Sequence, residues 1–203
     1  MNRCVLLLLA VVCSVVAQGQ RFQPLTGPVP RTADGKPDVN GVWEHPFVPD
    51  MTKDDVNQKG EPQLPFTQWG ANEWKTYDAA NGDYTGACLP FGLTRSINSP
   101  YPIQIVQTPK TVALLFEQST WFHSVPMDGR GHRKQDPTWF GDSVGRWEGD
   151  TLVIDTVNFN DYTRMDTVGH PHSDQLHLIQ RFTRTDRGHR SEEHTSELQS
   201  HLN

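Results

Sequence analysis

The feature that most constrains the fold is a predicted β-hairpin near the middle of the second half of the chain. Two short runs with strand-forming residues, 143–147 and 151–155, are separated by a three-residue loop that contains Gly149. A short loop with Gly between two such runs is typical of a hairpin. Because side chains alternate along a strand, Leu152 should face one side of the sheet and Asp155 the other.

The rest of the chain adds one predicted helix and several β-like segments. Thr67 to Ala80 is the helix candidate, because Trp74, Tyr77 and Ala80 recur at helical spacing and either Thr67 or Asn72 can cap it. The predicted strands outside the hairpin are 101–107, 111–117, 120–125 and 176–184. Short strands joined by tight links are typical of an antiparallel meander. We therefore predict a mainly β fold, an antiparallel barrel or a sandwich with one short helix.

Residues 1–17 are predicted to be a secretory signal peptide. Arg3 supplies a positive start, residues 5–12 form an apolar core too short to span a membrane, and Ala17 ends a small-residue cleavage site. Cleavage after Ala17 would leave Cys88 as the only cysteine, so the mature chain could form no internal disulfide. We expect a secreted or periplasmic protein.

Both ends of the mature chain are predicted to lie outside the folded domain. Residues 18–38 are polar and broken by prolines, which predicts an extended leader. Residues 190–200 resemble the translation of a common sequencing adapter, so 189–203 are expected to be a non-native tail after a truncated C-terminus. A single β-rich domain is expected at 39–188.

Charge and hydropathy argue against two classes of partner. The formal charge is -6 at pH 7, and the chain contains no Lys/Arg cluster of the kind that binds phosphate backbones. No segment after the predicted signal is long and apolar enough to cross a bilayer. We therefore expect neither a nucleic-acid partner nor a transmembrane segment in the mature chain.

The densest group of metal-capable side chains lies near the end of the predicted domain. In an extended segment His170, His172 and Asp174 would project to the same face. Imidazole and carboxylate ligands suit zinc or another divalent metal. His132 or Asp142 could supply a fourth ligand or a general base, so a divalent metal is the candidate cofactor.

General acid–base catalysis without a metal is a second interpretation of the same region. His172 or His177 could exchange protons near neutral pH when oriented by Asp174 or Asp155. Ser143 fits the letters of a Gly-x-Ser-x-Gly nucleophile motif, but it precedes a predicted strand instead of following one. We interpret Ser143 as structural.

Ligand binding without catalysis is a third interpretation. Arginine and aromatic side chains at the mouth of a barrel could hold an acidic or aromatic small molecule. The predicted lining is Arg130, Trp139, Arg146, Asp155 and Asn158, with Trp121 and Trp147 nearby.

Several motifs between residues 31 and 186 together resemble a family of uncharacterised exported proteins common in acidobacteria and soil metagenomes. The most specific is the block Gly145-Arg-Trp-Glu-Gly-Asp-Thr-Leu152. The resemblance implies export and further β-like sequence after this chain, but no activity; members often carry His where this chain has Asp142. Gly41-x-Trp43 separately resembles the opening of lipocalin-like (calycin-type) barrels.

Three functions are therefore open. The first is an exported β-barrel that binds a small ligand. The second is a metal-assisted hydrolase or lyase that uses the His/Asp cluster. The third is a cell-envelope interaction protein that uses the leader and an exposed sheet edge.

Overall fold

The computed structural model describes residues 25–44, 46–55 and 59–198. The predicted signal peptide, the first part of the leader at 18–24 and the last residues of the tail lie outside this range. Within it, every helix is too short or too polar to cross a bilayer.

The described chain is mainly β and antiparallel, as predicted. Its strands are β1 Gly41–Trp43, β2 Ile103–Gln107, β3 Thr111–Phe116, β4 Phe122–Pro126, β5 Asp142–Glu148, β6 Thr151–Val157, β7 Leu176–Arg184 and β8 Arg190–Leu198. They form two four-stranded sheets, one in the order β1-β2-β3-β4 and one in the order β5-β6-β7-β8. Each sheet is a meander, because neighbours in the sheet are also neighbours among the strands of the sequence.

The predicted helix is divided in two. Its start is as expected, since the Thr67 side chain accepts a hydrogen bond of 3.2 Å from the Gly70 backbone N–H. Tyr77 interrupts it with an extended ψ of 123°. The helices are α1 Gln68–Thr76, α2 Ala79–Gly82 and α3 Gly92–Ile97. Sequence reasoning missed α3, which is short but entirely buried.

Both sheets contribute to one hydrophobic core. In the first sheet, inward-facing residues pair across strands, for example Ile105 with Leu114. The core includes Trp43, Ile103, Ile105, Leu114 and Phe116 from the first sheet and Leu152, Ile154, Leu176, Leu178 and Phe182 from the second. Leu152 faces the core as predicted, and Asp155 faces the opposite side.

The sheets meet where β4 packs against β5. A Cβ atom added at Gly145 would lie 2.3 Å from the sulfur of Met127 and 2.9 Å from Val125 Cγ1, so any larger residue would force these two side chains to move. Beside it, His123 Nε2 lies 2.6 Å from Ser143 Oγ. This contact is buried and links one sheet to the other.

The C-terminal segment differs from the expected domain boundary. Residues 190–198 form β8, which pairs with the whole of β7 from Leu176↔Leu198 to Arg184↔Arg190. The physical reason is that an open edge of β7 presents unpaired N–H and C=O groups to any extended neighbouring segment. The non-native origin of this segment stays a prediction.

Candidate functional site

A cleft of about 480 Å³ lies on the outer face of the second sheet, where β6 ends and β7 begins. Five of its lining residues are candidates from the sequence, namely His132, Asp155, Asn158, Asp174 and His177. The rest of the lining is Arg133, Lys134, Gln135, Val157, Gln175 and Leu176. The structure thus brings together residues that the sequence assigned to separate catalytic and ligand-binding sites.

Two of the cleft residues are positioned by the register of β6 and β7. Asp155 is opposite Ile179, and His177 is two residues from Ile179 on the same face of β7. Such diagonal neighbours are within reach of long side chains. His177 Nε2 lies 2.9 Å from Asp155 Oδ1.

His132 reaches the same carboxylate from the loop between β4 and β5. Its Nε2 lies 3.0 Å from Asp155 Oδ1. The loop is held by Asp142, only 3% exposed, which accepts hydrogen bonds from the backbone N–H of Arg133 at 2.7 Å and from its Nε at 2.8 Å. Burial raises the pKa of Asp142, but these hydrogen bonds and the charge of Arg133 outweigh it and lower the pKa below its usual value. Asp142 therefore stays ionised and anchors the loop.

Asn158 anchors the other side of this loop. It has a left-handed backbone with φ of 64°, a conformation that Asn tolerates better than most residues. Its Nδ2 donates to the carbonyl oxygens of Gln135 at 2.9 Å and Asp136 at 3.1 Å. The Asn158 amide is thus committed to holding the cleft wall.

The central contact of the cleft is a carboxylate shared by two imidazoles. One carboxylate oxygen can accept two hydrogen bonds, so Asp155 Oδ1 can orient His132 and His177 together. His132 also lies near a second carboxylate, with its Nδ1 3.5 Å from Asp142 Oδ2. An imidazole oriented by a carboxylate is the arrangement used in general acid–base catalysis.

Two arginines and one tryptophan that were predicted to bind the ligand lie at different distances from the cleft. Arg146 lies at the edge of the cleft, with its guanidinium 3.9 Å from Asp155 Oδ2. Arg130 instead pairs with Asp128 at 3.4 Å, outside the cleft lining. Trp139 is also outside the lining and contacts two tyrosine rings at centroid distances of 6.5 and 5.7 Å. The other two tryptophans considered, Trp121 and Trp147, pack against the core.

The structure does not bring the three predicted metal ligands together. His170 is fully buried, whereas Asp174 is exposed in a turn at the cleft. Both nitrogens of His172 already have partners, with Nε2 2.5 Å from Thr163 Oγ1 and Nδ1 3.0 Å from the Ser173 carbonyl oxygen. Burial lowers the pKa of His172. The three side chains would share one face only if residues 170–174 were fully extended, and the turn at Asp174 ends the extended segment.

A serine–histidine pair also occurs, but it lies in the interior. His123 and Ser143 are 5% and 4% exposed, and Ser143 Oγ lies 2.6 Å from Thr156 Oγ1 as well. Burial lowers the pKa of His123 to about 4, with a small opposing effect of Asp142. A base this weak without access to substrate is structural, which agrees with the interpretation of Ser143 from the sequence.

Sequence reasoning missed Lys134 and Gln135, which line the cleft beside His132. They lie in a polar stretch between predicted strands, and only the folding of that stretch over β6 and β7 makes them part of a site.

No protein-family model, no curated protein and no solved structure matches this chain, so the geometry of the cleft carries the functional assignment.

Proposed function

We propose that this protein is an exported β domain of barrel type that binds a small acidic molecule in the cleft around His132, Asp155 and His177. The observation that carries the proposal is that a loop and two strands bring two imidazoles and a lysine to one open cleft. Its volume of about 480 Å³ falls in the usual range for small-molecule sites. The core shared by the two sheets supports a barrel-type arrangement, and the apolar run at residues 5–12 supports export.

Lys134 supplies the positive contact for an acidic group, in a lining that also includes the carboxylates of Asp155 and Asp174. Arg133 is neutralised by Asp142. Lys134, in contrast, has no ion pair within the described parts of the chain. Its ammonium can pair with an entering carboxylate, while the imidazoles of His132 and His177 offer further polar contacts.

Calorimetric titration with citrate and succinate as probes tests this function. Lys134→Ala and His177→Gln should each weaken binding of the probe about tenfold, because each removes a polar or charged contact with the carboxylate. Lys75→Ala is the matched control, since Lys75 is exposed on α1 outside the cleft. Equal affinities for the cleft variants and the control, or no binding of either acid, would refute the proposal.

A second candidate function is hydrolysis or elimination by general acid–base catalysis on the bound molecule. The observation that favours it is the pair of imidazoles oriented by one oxygen of Asp155. Asp155→Asn preserves the shape of the side chain but removes the charge that orients the rings. With carboxylate esters as substrates, this variant should lose kcat much more than KM. Turnover that Asp155→Asn leaves unchanged, or that is absent from the unmodified protein, would exclude this second function.

A further inference from the structure

A second cluster lies away from the cleft, where the loop after β1 meets the connection between β6 and β7. One ligand atom from each of Asp50, Asp166 and His170 lies within 4.8 Å of the others. Of the residues that the structure describes, no other set of three His, Cys, Asp or Glu side chains is this close. We infer that Asp50, Asp166 and His170 bind a divalent transition-metal ion, with zinc as the best fit to two carboxylates and one imidazole.

The burial of the cluster is the first argument for a cation. Asp166 and His170 are fully buried, and Asp166 Oδ2 lies 2.5 Å from His170 Nδ1. The carboxylate of Asp50 adds a second negative charge, whose other partners are the Thr52 hydroxyl at 2.6 Å and the exposed Lys53 at 2.9 Å. A divalent ion at this position would be attracted by both carboxylates in a region that is largely removed from water.

The geometry needs a small rearrangement, in which Asp166 Oδ2 and His170 Nδ1 open from their present 2.5 Å and Asp50 moves closer. Around zinc, with ligand bonds of about 2.0 to 2.2 Å, neighbouring ligand atoms lie roughly 3.3 Å apart. The three ligand atoms now lie within 4.8 Å of one another, so modest side-chain movements would reach that arrangement. The His170 ring already packs against Phe66 and Trp74, with centroid distances of 5.8 and 4.7 Å. Metal binding at Nδ1 would replace its hydrogen bond with Asp166, and Nε2, which has no hydrogen-bond partner, would carry the proton of the ring.

A neighbouring cavity provides access and room for the remaining ligands of the ion. It has a volume of about 240 Å³ and is lined by Asp166, Arg95 and Ser99 among others. Arg95 and Ser99 are only 9% and 5% exposed, and the buried atoms Arg95 Nε and Ser99 Oγ have no hydrogen-bond partner. Buried polar atoms without partners are uncommon and point to a bound water or ligand. A water molecule or small anion on the metal could satisfy both.

Zinc titration of the chelator-treated full chain tests the inference. We expect one zinc ion per chain, a rise in Tm on adding zinc, and weaker binding of Ca²⁺ and Mg²⁺ because these ions prefer oxygen ligands only. Asp50→Asn should weaken zinc binding at least about tenfold and abolish the rise in Tm. Asp50 is the chosen position because its backbone contact, with Thr52 N–H at 3.0 Å, is local, whereas Asp166 accepts the distant Met51 backbone N–H at 2.9 Å and its replacement threatens folding.

Two control variants separate this site from other histidine–carboxylate contacts. Asp186→Asn removes an exposed carboxylate that lies 2.7 Å from His189, and Asp155→Asn removes the carboxylate of the cleft. Both should bind zinc as the unmodified protein does. Absence of zinc binding, unchanged binding in a folded Asp50→Asn protein, loss of zinc in Asp155→Asn or Asp186→Asn, or equal affinity for calcium would each overturn the inference. Binding of citrate at the cleft is measured separately and does not depend on Asp50.

Discussion

The buried His123 makes the stability of this protein sensitive to mild acid. Burial lowers the pKa of His123 to about 4, from an ordinary value of about 6.5. The folded state therefore prefers the neutral ring, and the unfolded chain binds a proton first as the pH falls. The contribution of His123 to the free energy of unfolding is therefore most favourable above about pH 6.5, and it is lost as the pH falls toward about 4.

The size of the effect follows from this shift. A difference of about 2.5 pKa units corresponds to about 3 kcal/mol of the free energy of unfolding when it is fully developed. Between about pH 7 and about pH 5, where both states are only partly titrated, the expected loss is about 2 kcal/mol. Asp142 opposes the shift but does not cancel it, because desolvation of the ring is the larger effect.

Urea unfolding of the unmodified protein and of His123→Gln, followed by tryptophan fluorescence at several pH values, measures this contribution. The variant should lose about 2 kcal/mol less than the unmodified protein over the same interval. If the substitution lowers the free energy of unfolding by the same amount at every pH, the test is not affected, because only the pH dependence of the free energy of unfolding is compared between the two proteins. His172 is also buried with a lowered pKa, but it is present in both proteins and cancels. Parallel pH dependences would refute the assignment of His123 as a neutral group in the interior.

Two further substitutions test how the sheets and the cleft loop are held. Gly145→Ala should lower the free energy of unfolding by about 1 to 3 kcal/mol, because its Cβ would meet Met127 at 2.3 Å; Gly131→Ala, with open space around it, is the control and should change little. Arg133→Met should cost about 1 to 3 kcal/mol, since it removes side-chain partners of the buried Asp142. Urea unfolding measures both, and an unaltered midpoint in either variant would contradict the corresponding packing argument.

The strands could be predicted because their signals are local. Leu176–Arg184 has the same bounds in the sequence prediction and in the structure, and its buried positions alternate. Leu152 lies in the core and Asp155 on the opposite face, as a period of two requires. These assignments need only the alternation of side chains, which the sequence displays directly.

The short helix α3 could not be predicted because its stability comes from distant contacts. Six residues are too few for a helical period to emerge, and Gly92 at its start has a φ of +75°. A Cβ on Gly92 would lie 2.5 Å from Thr163 Cγ2 and 2.9 Å from the Trp139 carbonyl oxygen. The helix is therefore defined by parts of the chain about fifty to seventy residues away, and tertiary packing outweighs local propensity.

The candidate residues of the cleft could be named from the sequence, but their grouping could not. His132 and His177 are separated from Asp155 by 23 and 22 residues. Only the register of β6 and β7 and the anchoring of the loop by Asp142 make them neighbours. The predicted metal set failed to converge for the opposite reason, since closeness in sequence at His170 to Asp174 does not survive the turn in that segment.

The connection between β6 and β7 links both proposed sites. Its first residue, Asn158, holds the wall of the cleft, and Asp174 near its end lines the cleft, whereas Asp166 in its middle belongs to the buried cluster. Thr167 ties the same middle part to the loop after β1, because its hydroxyl donates to the Pro49 carbonyl oxygen at 2.7 Å. Long connections that carry functional groups need such fixed points, since they lack the ladder of a sheet. The polar contacts of Asn158 and Thr167 therefore fix this connection at the two points that matter, one at the cleft and one at the buried cluster.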